Sequence, residues 1–161
     1  MNQNKDKTAF FTGHRKLSQK KIEKIVKRLN AEVDKLIQKG VTDFISGFAL
    51  GFDQICASLI ISKKQQGANI RLIAAIPCRN QDEKWTDRQK RLYRSLLSEA
   101  DETHYVSEEY TPDCMKLRNY FMADNSRYCI CALMRDISGT GQAVRYAKEQ
   151  GVEIISIANT T

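Results

Sequence analysis

The residues best suited to chemistry fall in the stretch Ser46-Gly47-Phe48-Ala49-Leu50-Gly51-Phe52-Asp53. A short apolar run, Val41 to Ile45, precedes it, and Gln54 to Ile61 follows with the composition of a buried helix. A strand, a glycine turn and a helix in succession let the backbone pass close to a ligand. The unpaired N–H groups of the helix's first turn then favour an anion such as phosphate. Ser138-Gly139-Thr140-Gly141 stands in the same way between a strand-like and a helix-like segment. One such turn is also met as a plain tight connection, but two in one chain point to a phosphate or nucleotide site. Gly13, His14 and Arg15 add to the set. Thr8 to Gly13 reads as a short apolar strand ending on glycine, and His14 and Arg15 follow at the carboxyl end, where open α/β sheets bind ligands. Arg15 has the fork to hold a phosphate and His14 the ring to move a proton, although both also suit a surface turn.

These residues need elements to position them, and the chain supplies strands and helices in alternation. Ser18 is a candidate N-cap for a helix reaching about Lys39. Its apolar stripe is Ile22, Ile25, Val26, Leu29, Val33, Leu36 and Ile37 at three- and four-residue steps. Lys20, Lys21, Lys24, Lys27, Arg28, Lys35 and Lys39 fall on the other side, and Gly40 ends it. Ile70 to Ile76, apolar apart from Arg71, reads as a parallel strand buried on both faces, closed by Pro77. A helix is predicted over roughly Glu83 to Ala100, with Trp85 on its packing face. A fourth strand covers Glu102 to Val106, and a helix runs from Asp113 to about Ser126. A strand from Arg127 to Met134, a helix from Gln142 to Gln150 and a strand from Val152 to Ile157 complete the chain. Such alternation predicts an α/β fold, a doubly wound and mostly parallel sheet with helices on both faces.

Length and composition set the limits. The 161 residues suffice for one domain over residues 1–161, with 1–7 expected to be flexible. With 42% hydrophobic and 28% charged residues, the chain is not a disordered one. No apolar run approaches a membrane span, and Met1 to Thr8 lack the apolar core of a signal peptide. Five cysteines, an odd number set mostly in apolar segments, read as reduced thiols of a cytoplasmic protein. No CxxC pair or Cys/His cluster is present in the sequence, which argues against a metal. The net charge of +7 sits in residues 1–39, with 11 Lys/Arg against 4 Asp/Glu; the remainder has 15 of each. That basic helix face suits a polyanion, or simply water.

Taken together, several motifs resemble the YpsA-like family of the SLOG superfamily. They are Phe11-Thr12-Gly13-His14-Arg15; Ser46-Gly47 with Leu50-Gly51-Phe52-Asp53; Gln81 with Trp85; and Tyr110 with Cys114-Met115. Arg118-Asn119 with Met122 and Asp124 continues the series, as does Gly139-Thr140-Gly141 with Val144-Arg145-Tyr146-Ala147. The superfamily also holds the LOG phosphoribohydrolases and the DNA-processing protein DprA. The resemblance, over about residues 8 to 157, implies a Rossmann-like domain binding a nucleotide or nucleotide-derived ligand, in bacterial cell-division or stress physiology. Two departures stand out. The LOG motif places a catalytic Glu three positions after the Thr, where this chain has Ala143, and Ser138 stands where relatives tend to have glycine.

Three readings follow. In the first, a regulatory or sensor module binds a nucleotide such as NAD or ADP-ribose without requiring a cofactor. Its phosphates lie on the Gly47–Gly51 and Gly139–Gly141 turns, near Ser46 and Thr140. Arg15 and Arg118 supply charge, Asp53 or Asn119 takes ribose hydroxyls, and Trp85 or Tyr120 faces the base. In the second, an enzyme cleaves or transfers at the ribose C1′, with Asp53 as the candidate catalytic carboxylate; the missing Glu argues against the LOG mechanism. In the third, the protein binds single-stranded DNA through the basic helix, although no aromatic residues are interleaved with its lysines. Superfamily analogy also allows a homo-oligomer.

Overall fold

The computed structural model describes residues 2–132 and 139–158. Six strands form a sheet in which every pairing is parallel: β1 (Thr8–Gly13), β2 (Asp43–Ser46), β3 (Arg71–Cys78), β4 (Glu102–Ser107), β5 (Tyr128–Ala132) and β6 (Glu153–Ser156). Their order is β4-β3-β2-β1-β5-β6. The five helices alternate with them: α1 (Gln19–Gln38), α2 (Phe52–Gln65), α3 (Asp87–Ser98), α4 (Cys114–Asp124) and α5 (Gly139–Glu149). The chain steps outward from β1 to β4 and then crosses back to lay β5 on the other side of β1. This is the doubly wound α/β arrangement, with its switch point between β1 and β5.

The two faces hold separate cores. Ile25, Leu29, Val33 and Leu36 of α1, Cys56, Ala57 and Ile60 of α2, and Tyr93 of α3 pack on one side with Phe11, Phe44 and Leu72. Met122, Ala123, Val144 and Ala147 of α4 and α5 pack on the other with Phe10, Ile45 and Ile73. The alternation along β1 to β3, with neighbouring residues in opposite cores, is the period-two signature of a sheet covered on both faces. Lys20, Lys21, Lys24 and Lys27 are exposed on α1, as their spacing predicts. Arg28 departs from that set, for its Nη1 donates to the Ile157 carbonyl at 3.0 Å.

Other boundaries differ from the sequence reading for local reasons. Residues 2–7 form a 3-10 segment kinked at Asn4, whose carbonyl accepts from Thr8 Oγ1 at 2.6 Å. The helix predicted from Glu83 begins at Asp87, because Thr86 and Gln89 form a reciprocal capping box. Trp85 therefore precedes the helix and meets Tyr93 edge-on at 5.1 Å. The helix predicted from Gln142 begins at Gly139, so Gly139 and Gly141 lie in its first turn rather than in a turn before it. Leu133, Met134 and Ser138, called as strand end and turn, lie outside the described residues. Among the described residues no helix is long and apolar enough to cross a membrane.

Candidate functional site

A cavity of about 470 Å³ opens beyond the carboxyl ends of the strands at the switch point. Thr12 and Gly13 at the end of β1, with His14 and Arg15, form one wall, and Ala49 and Asp53 from the connection of β2 to α2 form its floor. Pro112 and Asp113 come from the connection before α4, Met115, Lys116, Arg118, Asn119 and Met122 from α4 itself, and Gln142 from α5. Three of these side chains, Arg15, Lys116 and Arg118, are basic, and two, Asp53 and Asp113, are acidic. Positive charge at the mouth of an α/β sheet with helix N-termini around it is the setting in which phosphates bind.

The loop from Ser46 to Gly51 is a rigid floor. Ser46 Oγ donates to the Asp53 carbonyl at 2.8 Å and accepts from the Phe48 N–H at 3.2 Å. Gln54 Nε2 donates to the Phe48 carbonyl at 3.2 Å. Phe48 is fully buried although its φ of 58° lies in the left-handed region, so packing holds the loop in a costly conformation. The glycines serve the protein's own packing. A Cβ on Gly47 would strike the Arg118 guanidinium and come within 3.0 Å of Asp53 Oδ2. Gly51, at φ +86°, lies against the backbone carbonyls of His14 and Arg15. Neither glycine is among the residues that line the cavity; Arg118 packs against Gly47 and the first loop against Gly51.

Arg118 is the centre of this arrangement. It is 4% exposed, and its Nη1 donates to the carbonyls of Gly47 at 3.1 Å and Ala75 at 3.3 Å. Its Nε donates to Asn119 Oδ1 at 3.0 Å. Burial lowers its pKa from the ordinary value, with the Asp53 carboxylate opposing and Arg15 adding to the shift. Asp53 is the counterpart, 7% exposed in the first turn of α2. Burial raises its pKa to about 6, against the lowering influence of Arg118, the Ala49 N–H and Arg15.

A carboxyl of this kind has a defined pH signature. The folded protein holds the proton to about pH 6, whereas an unfolded chain releases it near 3.8. Between those values the native state binds more protons, so this group's contribution to stability falls as pH rises, by up to about 3 kcal/mol, and is level outside the window. The stability of Asp53→Asn relative to the parent should therefore rise between pH 4 and pH 7 in chemical melts. A flat difference would mean that Asp53 titrates normally.

The structure brings Gly13, His14, Arg15, Asp53, Arg118 and Asn119 together on the cavity wall. Ser46, Gly47 and Gly51 support that wall from behind, and Trp85 is turned to Tyr93 instead of the cavity. For Gly139 and Thr140 only the backbone of the first turn of α5 is described; Gly141 is buried there. Sequence reasoning missed Asp113, Met115, Lys116, Met122 and Gln142. A signal was present, since Met115, Asn119 and Met122 recur at four- and three-residue steps on one side of α4.

A family profile described as YspA SLOG, under the name YpsA, matches residues 9–157. The chain belongs to the YpsA family of SLOG domains. Among its relatives, the uncharacterised SPbeta prophage-derived protein YoqJ of Bacillus subtilis is 32% identical over 139 residues, covering 78% of this chain and 81% of that one. A UPF0398 protein of Bacillus cereus is 23% identical over 133 residues, covering 81% of this chain and 72% of its own length. Of solved structures, DprA of Streptococcus pneumoniae superposes with a TM-score of 0.68 at 20% identity, over 94% of this chain and 50% of that protein. DprA of Helicobacter pylori, described for its single-stranded DNA binding mode, gives 0.68 at 16% identity, over 95% of this chain and 66% of that one. The YpsA-family chain thus shares the DprA-like fold while spanning about half to two thirds of those proteins.

Proposed function

We propose that this YpsA-family protein binds a nucleotide or nucleotide-derived anion of the NAD or ADP-ribose kind, as a regulatory or sensor module. The observation that carries this reading is the cavity at the switch point, ringed by Arg15, Lys116 and Arg118 and lying where open parallel sheets hold ligands. Phosphate oxygens meet Arg15 and Lys116 at the mouth. Asn119 and the Asp53 carboxyl offer hydrogen bonds to ribose hydroxyls deeper in, and Met115, Met122 and Pro112 supply apolar surface for a base. These side chains take the place of Trp85 or Tyr120 as the surface that faces the base.

The raised Asp53 pKa supports a second reading in which the same cavity catalyses cleavage at the ribose C1′, since a carboxyl that titrates near 6 can exchange a proton close to neutral pH. The exposed lysines of α1 and the DprA-like fold favour a third, single-stranded DNA. One screen separates the three: thermal shift with NAD, ADP-ribose, AMP and a short single-stranded DNA, with product analysis of the same samples. A ligand at about 100 times its Kd adds roughly 2.7 kcal/mol, a visible shift. The sensor reading expects a nucleotide shift with the ligand intact, reduced by Arg15→Glu and unchanged by reversing Lys20, Lys24 and Lys27. Free base released by the parent and not by Asp53→Asn would support the enzyme. A shift with DNA alone would move the function to α1.

A further inference from the structure

On the wall that α4 gives to the cavity, one polar group has its orientation dictated by the rest of the protein. Asn119 is half-buried and lines the cavity, and its Oδ1 accepts from Arg118 Nε at 3.0 Å. A guanidinium N–H only donates, so the amide atom facing it is the oxygen, and Nδ2 is left to present its two N–H groups elsewhere. Among the described residues nothing accepts from it. Arg118 is not free to follow the amide, for it is 4% exposed and its Nη1 is held by the carbonyls of Gly47 and Ala75. Gln81 Nε2 donates to that same Gly47 carbonyl at 3.4 Å and to the Tyr93 hydroxyl at 3.3 Å, and Tyr93 meets Trp85 edge-on. The pair Gln81 and Trp85, which lies outside the cavity lining, thus begins a chain of contacts that ends at Asn119. Asp53 shares this frame: its Oδ2 and the Arg118 guanidinium both border the point where Gly47 lacks a Cβ.

We propose that Asn119 is the specificity-determining residue of the cavity, a fixed N–H donor that selects ribonucleotides over their deoxy counterparts. The inference rests on the nucleotide reading above. A hydroxyl both accepts and donates, and the cavity offers partners for each role, since Asn119 Nδ2 gives a hydrogen bond and the Asp53 carboxylate takes one. A deoxy position supplies neither, and a site that loses a hydroxyl it is built to bond rejects the analogue. Arg118, donating to Gly47, Ala75 and Asn119, is the positioning residue, and the phosphate falls to Arg15 and Lys116.

The test is calorimetric titration of the full chain with AMP, 2′-deoxy-AMP and 3′-deoxy-AMP. The parent should bind AMP about tenfold or more tightly than at least one of the two analogues. Asn119→Asp keeps an oxygen facing Arg118 Nε but turns the donor into an acceptor; it should weaken AMP and bring the ratio close to one. Asn119→Leu, of similar size and uncharged, should lower the ratio in the same way. Equal affinity of the parent for all three nucleotides would overturn the assignment and leave the nucleotide reading standing. So would a ratio retained in the variants while all three nucleotides weaken alike, the mark of added negative charge alone. No binding of any of the three to the parent would remove the nucleotide reading and this inference with it.

Discussion

Gly51→Ala should destabilise the protein by roughly 3 kcal/mol or more, lowering the melting temperature by about 6–12 °C. Two effects add. At φ +86° an alanine is strained by about 1 kcal/mol or more. Its Cβ also points into the carbonyls of His14 and Arg15, which are backbone atoms and cannot swing aside. That approach is fixed from both sides, because the Phe52 N–H donates to the His14 carbonyl at 3.1 Å. Overpacking against such a contact typically costs a further 1–3 kcal/mol. Gly40→Ala is the control, for Gly40 has φ +99° but no atom within 4 Å of its added Cβ, and only the conformational cost of about 1 kcal/mol is expected. Equal losses at the two positions in urea melts would show that the first loop is free to yield.

Arg118→Met should cost about 3–5 kcal/mol at pH 8, since it removes the cation that most offsets the buried Asp53 carboxylate. The methionine keeps the apolar volume but forfeits the hydrogen bonds to Gly47, Ala75 and Asn119. Asp53 then loses its principal lowering influence, so its pKa should move further above about 6. The loss should accordingly shrink toward pH 5, where the carboxyl is protonated and no buried anion is left exposed to the change. A pH-independent loss would mean that Arg118 acts only through its hydrogen bonds. Should Arg118→Met fail to fold at pH 8, its recovery at pH 5 is itself the expected signature.

These two residues mark where the sequence could and could not be read. The doubly wound fold was legible because its determinants are local: the apolar run from Leu72 to Ile76, the stripe on α1, and the glycine turns between strands and helices. The start of α3 was legible too, as Thr86 with Gln89 three residues on is a capping signature; the expected boundary at Glu83 overlooked it. The role of Gly47 was not. What fills the space beside it is Arg118, 71 residues away, delivered by the crossover that carries α4 over β3. For the same reason Lys116 reads as an ordinary helix residue, and Met115 only as part of a motif, until the topology sets them on the cavity with Arg15. Asp53 could be singled out by its place in the turn, but its shifted titration depends on burial that only the packed loop creates. Trp85 could be read from the sequence either as a packing residue or, with Tyr120 as the alternative, as a base platform, and its edge-on contact is with Tyr93.

The most direct measurement is a chemical-shift map of the isotopically labelled protein titrated with ADP-ribose and, separately, with AMP. A site at the β1–β5 switch point predicts saturable perturbations at Thr12 to Arg15, Asp53, Lys116 to Asn119 and Gln142, with α1 beyond its first turn unmoved. Perturbations confined to the α1 lysines, or none at millimolar nucleotide, would contradict it.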